Sequence, residues 1–117
     1  MGTQTELVKG TTVPIILRLL AEREMYGYEL VKLVNERTNG ALTWNEGTLY
    51  PSLHRLEAQG LVRGTWRQAP SGKQRKYYRL TRRGRAEQAR RVDEWRTVRG
   101  AVDALLLGAV SWRGSTT

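Results

Sequence analysis

The chain has no cysteine and no phenylalanine, a single histidine and three prolines among 117 residues. Without cysteine it can form neither a disulfide nor a thiolate metal site, and it suits any redox compartment. His54 has no clustered partner, so metal ligation and histidine-based catalysis are not expected. No phosphate loop, nucleophile–base pair or paired carboxylates in a plausible pocket can be read, so no cofactor and no enzymatic activity are expected. Long hydrophobic runs are also missing. Ile15–Ala21 is broken by Arg18, and Ala101–Val110 is too short for a bilayer and contains Asp103. Met1–Gly10 is polar and offers no secretory apolar region. The expectation is a cytoplasmic protein with no membrane association. With no phenylalanine, a core must be built from Leu, Val, four Trp and five Tyr. At this length that means one domain with a modest core.

Charge is abundant and uneven. Between Arg63 and Arg99 stand thirteen Lys or Arg and three acids, while the whole chain carries +9. The remainder is therefore close to neutral. A basic excess confined to one half is the footprint expected of a polyanion partner. A composition that simply favours arginine is the plainer alternative.

The most informative stretch is Glu46–Gly60. Read as a helix, it aligns Leu49, Leu53 and Leu56 on one stripe. Gly47, Thr48, Pro51, His54, Arg55 and Ala58 fall opposite. That outer side lacks large apolar groups and carries one fixed charge, which suits a face laid flat against a partner. Asn45 is an expected N-cap and Gly60 a C′ residue. Pro51 should bend the first turn, since it crowds the Gly47 carbonyl.

Upstream, Glu6–Ala21 reads as a helix with Leu7, Val8, Thr11, Ile15, Ile16, Leu19 and Leu20 on a broad apolar stripe. Pro14 implies a kink, or a restart with proline in the first turn. Glu22–Tyr26 reads as a polar connector, and Tyr28–Arg37 as a second helix ended by Asn39-Gly40. Downstream, Leu61–Gln68 alternates as a strand with Val62, Gly64 and Trp66 on one side. Ala69–Gly72 is a turn, and Arg75–Leu80 a second strand with Tyr78 and Leu80 on one face. The hairpin has a basic tip, Lys73 to Lys76. Trp44 and Trp66 read as core residues beside it. Thr81 should cap a last helix reaching about Leu107, with Ala86, Ala89, Val92, Trp95, Val98 or Arg99, Val102, Leu105 and Ala109 in a coiled-coil-like seam. Gly84 and Gly100 weaken that helix locally. Trp112 has no assigned role. Helix, helix, helix and hairpin in this order is a winged helix-turn-helix, a mainly α (α+β) fold whose later helix enters the major groove.

Tyr26-Gly-Tyr-Glu-Leu30, Glu46-Gly-Thr-Leu-Tyr-Pro51, Leu53-His-Arg-Leu-Glu57, Gly60-Leu-Val62 and Lys76-Tyr-Tyr-Arg-Leu-Thr81 with Gly84 resemble the PadR family of bacterial transcriptional regulators. The resemblance covers about residues 7–107. It implies a winged-helix dimer, usually a repressor that responds to a small molecule. It also implies the short subclass, in which one C-terminal helix dimerises. The implied organisation is a DNA-binding domain over 1–80, a dimerisation helix over 81–110 and a disordered tail over 111–117. One branch of the subclass sandwiches planar ligands between paired tryptophans. Trp95 stands at the corresponding place, and Ile15 and Leu19 are candidate pocket walls. A tryptophan on a dimerising seam is more often interface core, and that is the plainer reading of Trp95.

The expected DNA face comprises Thr48, Tyr50, Pro51, His54 and Arg55. Thr48 and Tyr50 would donate to phosphates, Arg55 would reach a phosphate or guanine edge, and Pro51 would make apolar contact in the groove. Tyr50 can instead be a core tyrosine, and Asn45 a cap rather than a base reader. Lys73, Arg75 and Lys76 are expected phosphate contacts of the wing. The partners expected are double-stranded DNA with a pseudo-palindromic operator, a second copy of the chain, and a planar aromatic effector. A structural nucleic-acid binder of low sequence specificity is the alternative.

Overall fold

The computed structural model describes residues 6–108. The elements run α1 (Glu6–Lys9), α2 (Thr12–Glu22), β1 (Met25–Tyr26), α3 (Gly27–Arg37), α4 (Glu46–Ala58), β2 (Val62–Gln68), β3 (Gln74–Leu80) and α5 (Arg82–Leu107). The expected tail over 111–117, Ala109 and Trp112 lie outside the described residues.

The first helical stretch takes the restart that proline permits. Thr11 closes a turn onto the Val8 carbonyl through both its amide and its hydroxyl. The chain then begins α2 with Pro14 in the first turn, where no intrahelical amide bond is lost. Leu7 is consequently not part of the core; it is 86% exposed on α1.

The connector expected over Glu22–Tyr26 contains a strand. Met25 and Tyr26 pair antiparallel with Tyr78 and Tyr77, so the hairpin becomes a three-stranded sheet in the order β1-β3-β2. Two residues are too few to register as a sequence period. The fully buried Met25 is what anchors them. In the hairpin itself Val62 faces Leu80, Gly64 faces Tyr78 and Trp66 faces Lys76.

Ile16, Leu17, Leu20, Met25, Leu30, Leu49, Leu53, Leu56, Val62 and Tyr78 fill the core between the helices and one face of the sheet. Each such burial contributes about 1.5–3 kcal/mol of transfer free energy. Trp44 joins this core, but Trp66 does not and is 64% exposed. The alternation assigned Trp66 to the correct face, yet an open cleft rather than packed side chains lies between it and α4.

The Leu-Thr-x-x-Gly segment fixes where α5 leaves the sheet. The Thr81 hydroxyl accepts from the Gly84 amide at 3.0 Å and donates to the Gly60 carbonyl at 2.7 Å. The Thr81 amide donates to the Leu61 carbonyl at 3.1 Å. Gly84 then passes over Leu61 so closely that a Cβ would stand 2.0 Å from that carbonyl oxygen. From there α5 runs past α2, and Gly84 is its only fully buried residue.

Candidate nucleic-acid interface

The helix α4 is set by its cap and its leucines. Asn45, in extended backbone, accepts from the Thr48 amide at 2.9 Å, which assigns Asn45 the capping role. Leu49, Leu53 and Leu56 turn inward and are fully covered. Gly47, Pro51, His54, Arg55 and Ala58 are exposed on the outer side, while Thr48 and Tyr50 are half-buried. The helix continues through Pro51 as one span. Gly47, Pro51 and Ala58 make a low ridge, so a groove floor can approach the backbone closely.

Tyr50 borders this ridge and rests on the start of α3. A Cβ at Gly27 would lie 2.4 Å from the Tyr50 hydroxyl oxygen, so glycine is what admits the ring. Burial, and after it the Glu46 carboxylate, raises the Tyr50 phenol above its ordinary value. The hydroxyl therefore stays protonated and able to donate. The Tyr50 and His54 rings are neighbours at 6.3 Å.

Between α4 and the sheet runs a cleft of about 430 Å3 whose walls include Tyr26, Tyr50, His54, Trp66, Gln74 and Lys76. Lys76 reaches across it to Glu57 of α4, Nζ to carboxylate oxygen 3.0 Å. The same carboxylate accepts from the Gly64 amide at 3.1 Å. The Lys76 ammonium, and after it the Gly64 amide, holds the Glu57 carboxyl below the usual range, and Glu57 holds the lysine above its own. Gly64 leaves room for this, because a Cβ would meet Lys76 Cε at 2.3 Å and the lysine would have to move aside. A glycine inside a strand is a sequence sign of such close approach, and it is the signal that could have revealed Glu57.

The three expected wing cations therefore differ. Lys73 is exposed in the turn. Arg75 lays its guanidinium over the Tyr26 ring at 4.3 Å. Lys76 lies within the strand, tied to α4, rather than at the tip. Arg67 stacks on Tyr77 and pairs with Glu24, which braces β1 against the hairpin.

A separate apolar groove of about 470 Å3 lies between α1, α2 and α5. Ile15, Leu19 and Trp95 all line it, together with Leu7, Pro14 and Val92. Trp95 is half exposed. Beyond it along α5, Val98, Val102, Leu105, Leu106 and Leu107 are uncovered within the single chain. No helix among the described residues is long and apolar enough to cross a membrane.

Residues 16–90 match the transcriptional regulator PadR-like family. The chain is 34% identical over 105 residues to protein X of Lysinibacillus sphaericus, covering 90% of this chain and 96% of that one. It is 41% identical over 71 residues to the transcriptional regulator Rv3488 of Mycobacterium tuberculosis, spanning 61% of this chain and 63% of the regulator. A PadR family transcriptional regulator from Eggerthella lenta has the same fold, with a TM-score of 0.75, 37% identity and 86% of each chain covered. The architecture, helices α1–α4 and a three-stranded sheet followed by the long helix α5, is that of the winged-helix regulators. The chain belongs to the PadR-like family of transcriptional regulators, which govern transcription and are not enzymes.

Proposed function

We propose that this protein is a homodimeric, sequence-specific DNA-binding repressor, released from its operator by a planar aromatic ligand held between the subunits. The observation that carries the DNA part is the outer face of α4. It is a ridge of Gly47, Pro51 and Ala58 bordered by Thr48, Tyr50, His54 and Arg55, beside a cleft that the hairpin closes. In this reading Thr48, Tyr50, Arg55 and Lys73 meet phosphates, and Pro51 and His54 approach base edges. Arg75 and Lys76 act at one remove. They fix the angle between hairpin and helix, and with it the distance between wing and groove contacts.

Dimerisation is supported by the uncovered seam of α5. Two copies joined there would present two α4 helices to half-sites about one turn apart, ~34–36 Å. The groove holding Trp95, Ile15 and Leu19 would lie against this seam. A flat ligand entering it would favour one dimer geometry over another, which is all that release requires. The domain reading is a DNA-binding unit ending near residue 80 and a dimerisation helix beginning at Thr81.

The test is footprinting on the DNA upstream of the protein's own gene, with the affinity ratio between that site and scrambled DNA measured at physiological salt. Protection of two half-sites one turn apart is expected. A ratio near one would favour the low-specificity binder that the concentrated basic charge also suits. Titration with a planar aromatic dye should then lower DNA affinity in the wild type and leave Trp95→Ala unaffected.

A further inference from the structure

Trp66 is 64% exposed on a strand face that turns toward α4. Its cross-strand partner Lys76 reaches Glu57 of that helix, and Gly64, two residues earlier, touches the same carboxylate. The ring therefore overhangs the end of the α4–hairpin cleft and forms one of its walls. It is also a wall of a second, wider cleft, which lies between the edge strand β2, the end of α4 and the start of α5.

That second cleft carries Arg63, Arg82 and Arg83. All three are exposed, and among the described residues none of them forms an ion pair. The single acid in its lining, Glu57, is already bound to Lys76 and to the Gly64 amide. Arg82, Arg83 and Arg85 also crowd the first turn of α5, which has no acidic residue. Cations are unfavourable at that end of a helix. An external anion would relieve both this and their mutual repulsion.

We propose that Arg63, Arg82 and Arg83, with Trp66 at the lip, form a second contact surface for the sugar–phosphate backbone of DNA, outside the half-site that α4 meets. The inference rests on the DNA-binding reading above and extends it. The ring of Trp66 packs on a deoxyribose of the strand that leaves the α4–hairpin cleft. The guanidiniums take the phosphates that follow. An aromatic face beside several donors with no free acid fits a backbone that alternates apolar sugar and anion. Continuity through Trp66 joins the surface to the first cleft rather than leaving it a separate site.

Binding of a 40-base-pair duplex from upstream of the gene, and of a shorter duplex without the flanks, is measured by anisotropy across a salt series. On the long duplex, Arg82→Ala/Arg83→Ala should flatten the log–log salt slope by about 1.8, two contacts' worth. Trp66→Ala should weaken binding about tenfold, the scale of one aromatic–nucleotide contact. On the short duplex the double arginine variant should match the wild type. DNA-induced quenching of tryptophan emission should largely disappear in Trp66→Phe. Trp66 and both arginines are exposed, so folding is expected to survive, and circular dichroism checks it. Wild-type slope and affinity in the folded variants on the long duplex would overturn the proposal. Polyglutamate binding that requires Arg82 and Arg83, with DNA binding unchanged, would assign the cleft to an acidic protein instead. A wild type that binds neither duplex would refute the DNA reading itself.

Discussion

Replacing Gly84 by alanine should destabilise the protein, although alanine is the better helix former. In an exposed helix the exchange would stabilise by about 1 kcal/mol. Here the new Cβ would lie 2.0 Å from the Leu61 carbonyl oxygen, about 1 Å inside the shortest contact that a real Cβ makes, and backbone rather than a flexible side chain stands in the way. The first turn of α5 must lift from the sheet. Three donors hold that turn: the Thr81 amide to Leu61, the Thr81 hydroxyl shared between the Gly60 and Leu61 carbonyls, and the Gly84 amide to Thr81. At about 0.5–1.5 kcal/mol each, their loss amounts to roughly 1.5–4.5 kcal/mol. Subtracting the helix gain leaves a destabilisation of about 0.5–3.5 kcal/mol. Urea unfolding followed by circular dichroism should show a lower midpoint with an unchanged slope. A variant as stable as the wild type, or more stable, would refute this account of the α5 junction.

Gly27→Ala should displace the Tyr50 ring and weaken operator binding with only modest loss of stability. Retention of full affinity would mean that Tyr50 does not serve the interface. Val102→Asp should convert the expected dimer to a monomer while the helical signal persists, as read by sedimentation. A wild type that sediments as a monomer would remove the seam from consideration. Arg90, and after it Arg91, holds the Glu87 carboxyl down to about 2. A carboxyl lowered by folding favours the folded state above its ordinary value of 4.5, and that contribution fades as pH falls from there toward about 2. Glu87→Gln should therefore flatten stability over that acid range, and a Glu87 titration near 4.5 by NMR would contradict the ion-pair geometry. Glu57→Gln should loosen the hairpin from α4 and lower DNA affinity without moving the seam, with the Lys76 side-chain resonances as the monitor.

Much of this fold was legible along the chain. The caps at Asn45 and Thr81, the inward leucines of α4, the hairpin and the extent of α5 are local matters. Each follows from a side chain meeting its own backbone or from a period of apolar residues. The concentration of basic charge beyond Arg63 needed only counting. Family membership was equally legible, because Gly-Thr-Leu-Tyr-Pro and Leu-Thr-x-x-Gly record contacts whose partners lie elsewhere.

Those partners are what tertiary structure alone decided. Gly27 is small because Tyr50 arrives from another helix, and Gly84 is small because α5 must cross the Leu61 carbonyl. Lys76 reads as one more wing cation until Glu57 is found opposite it, nineteen residues earlier in the chain. Trp66 alternates as a core residue should, yet the strand holds it over an open cleft beside Tyr50 and His54 and leaves it in solvent. Sequence periodicity states which face a side chain takes. Whether anything lies under that face depends on how closely the neighbouring element approaches it in space, and that is settled only when the chain packs.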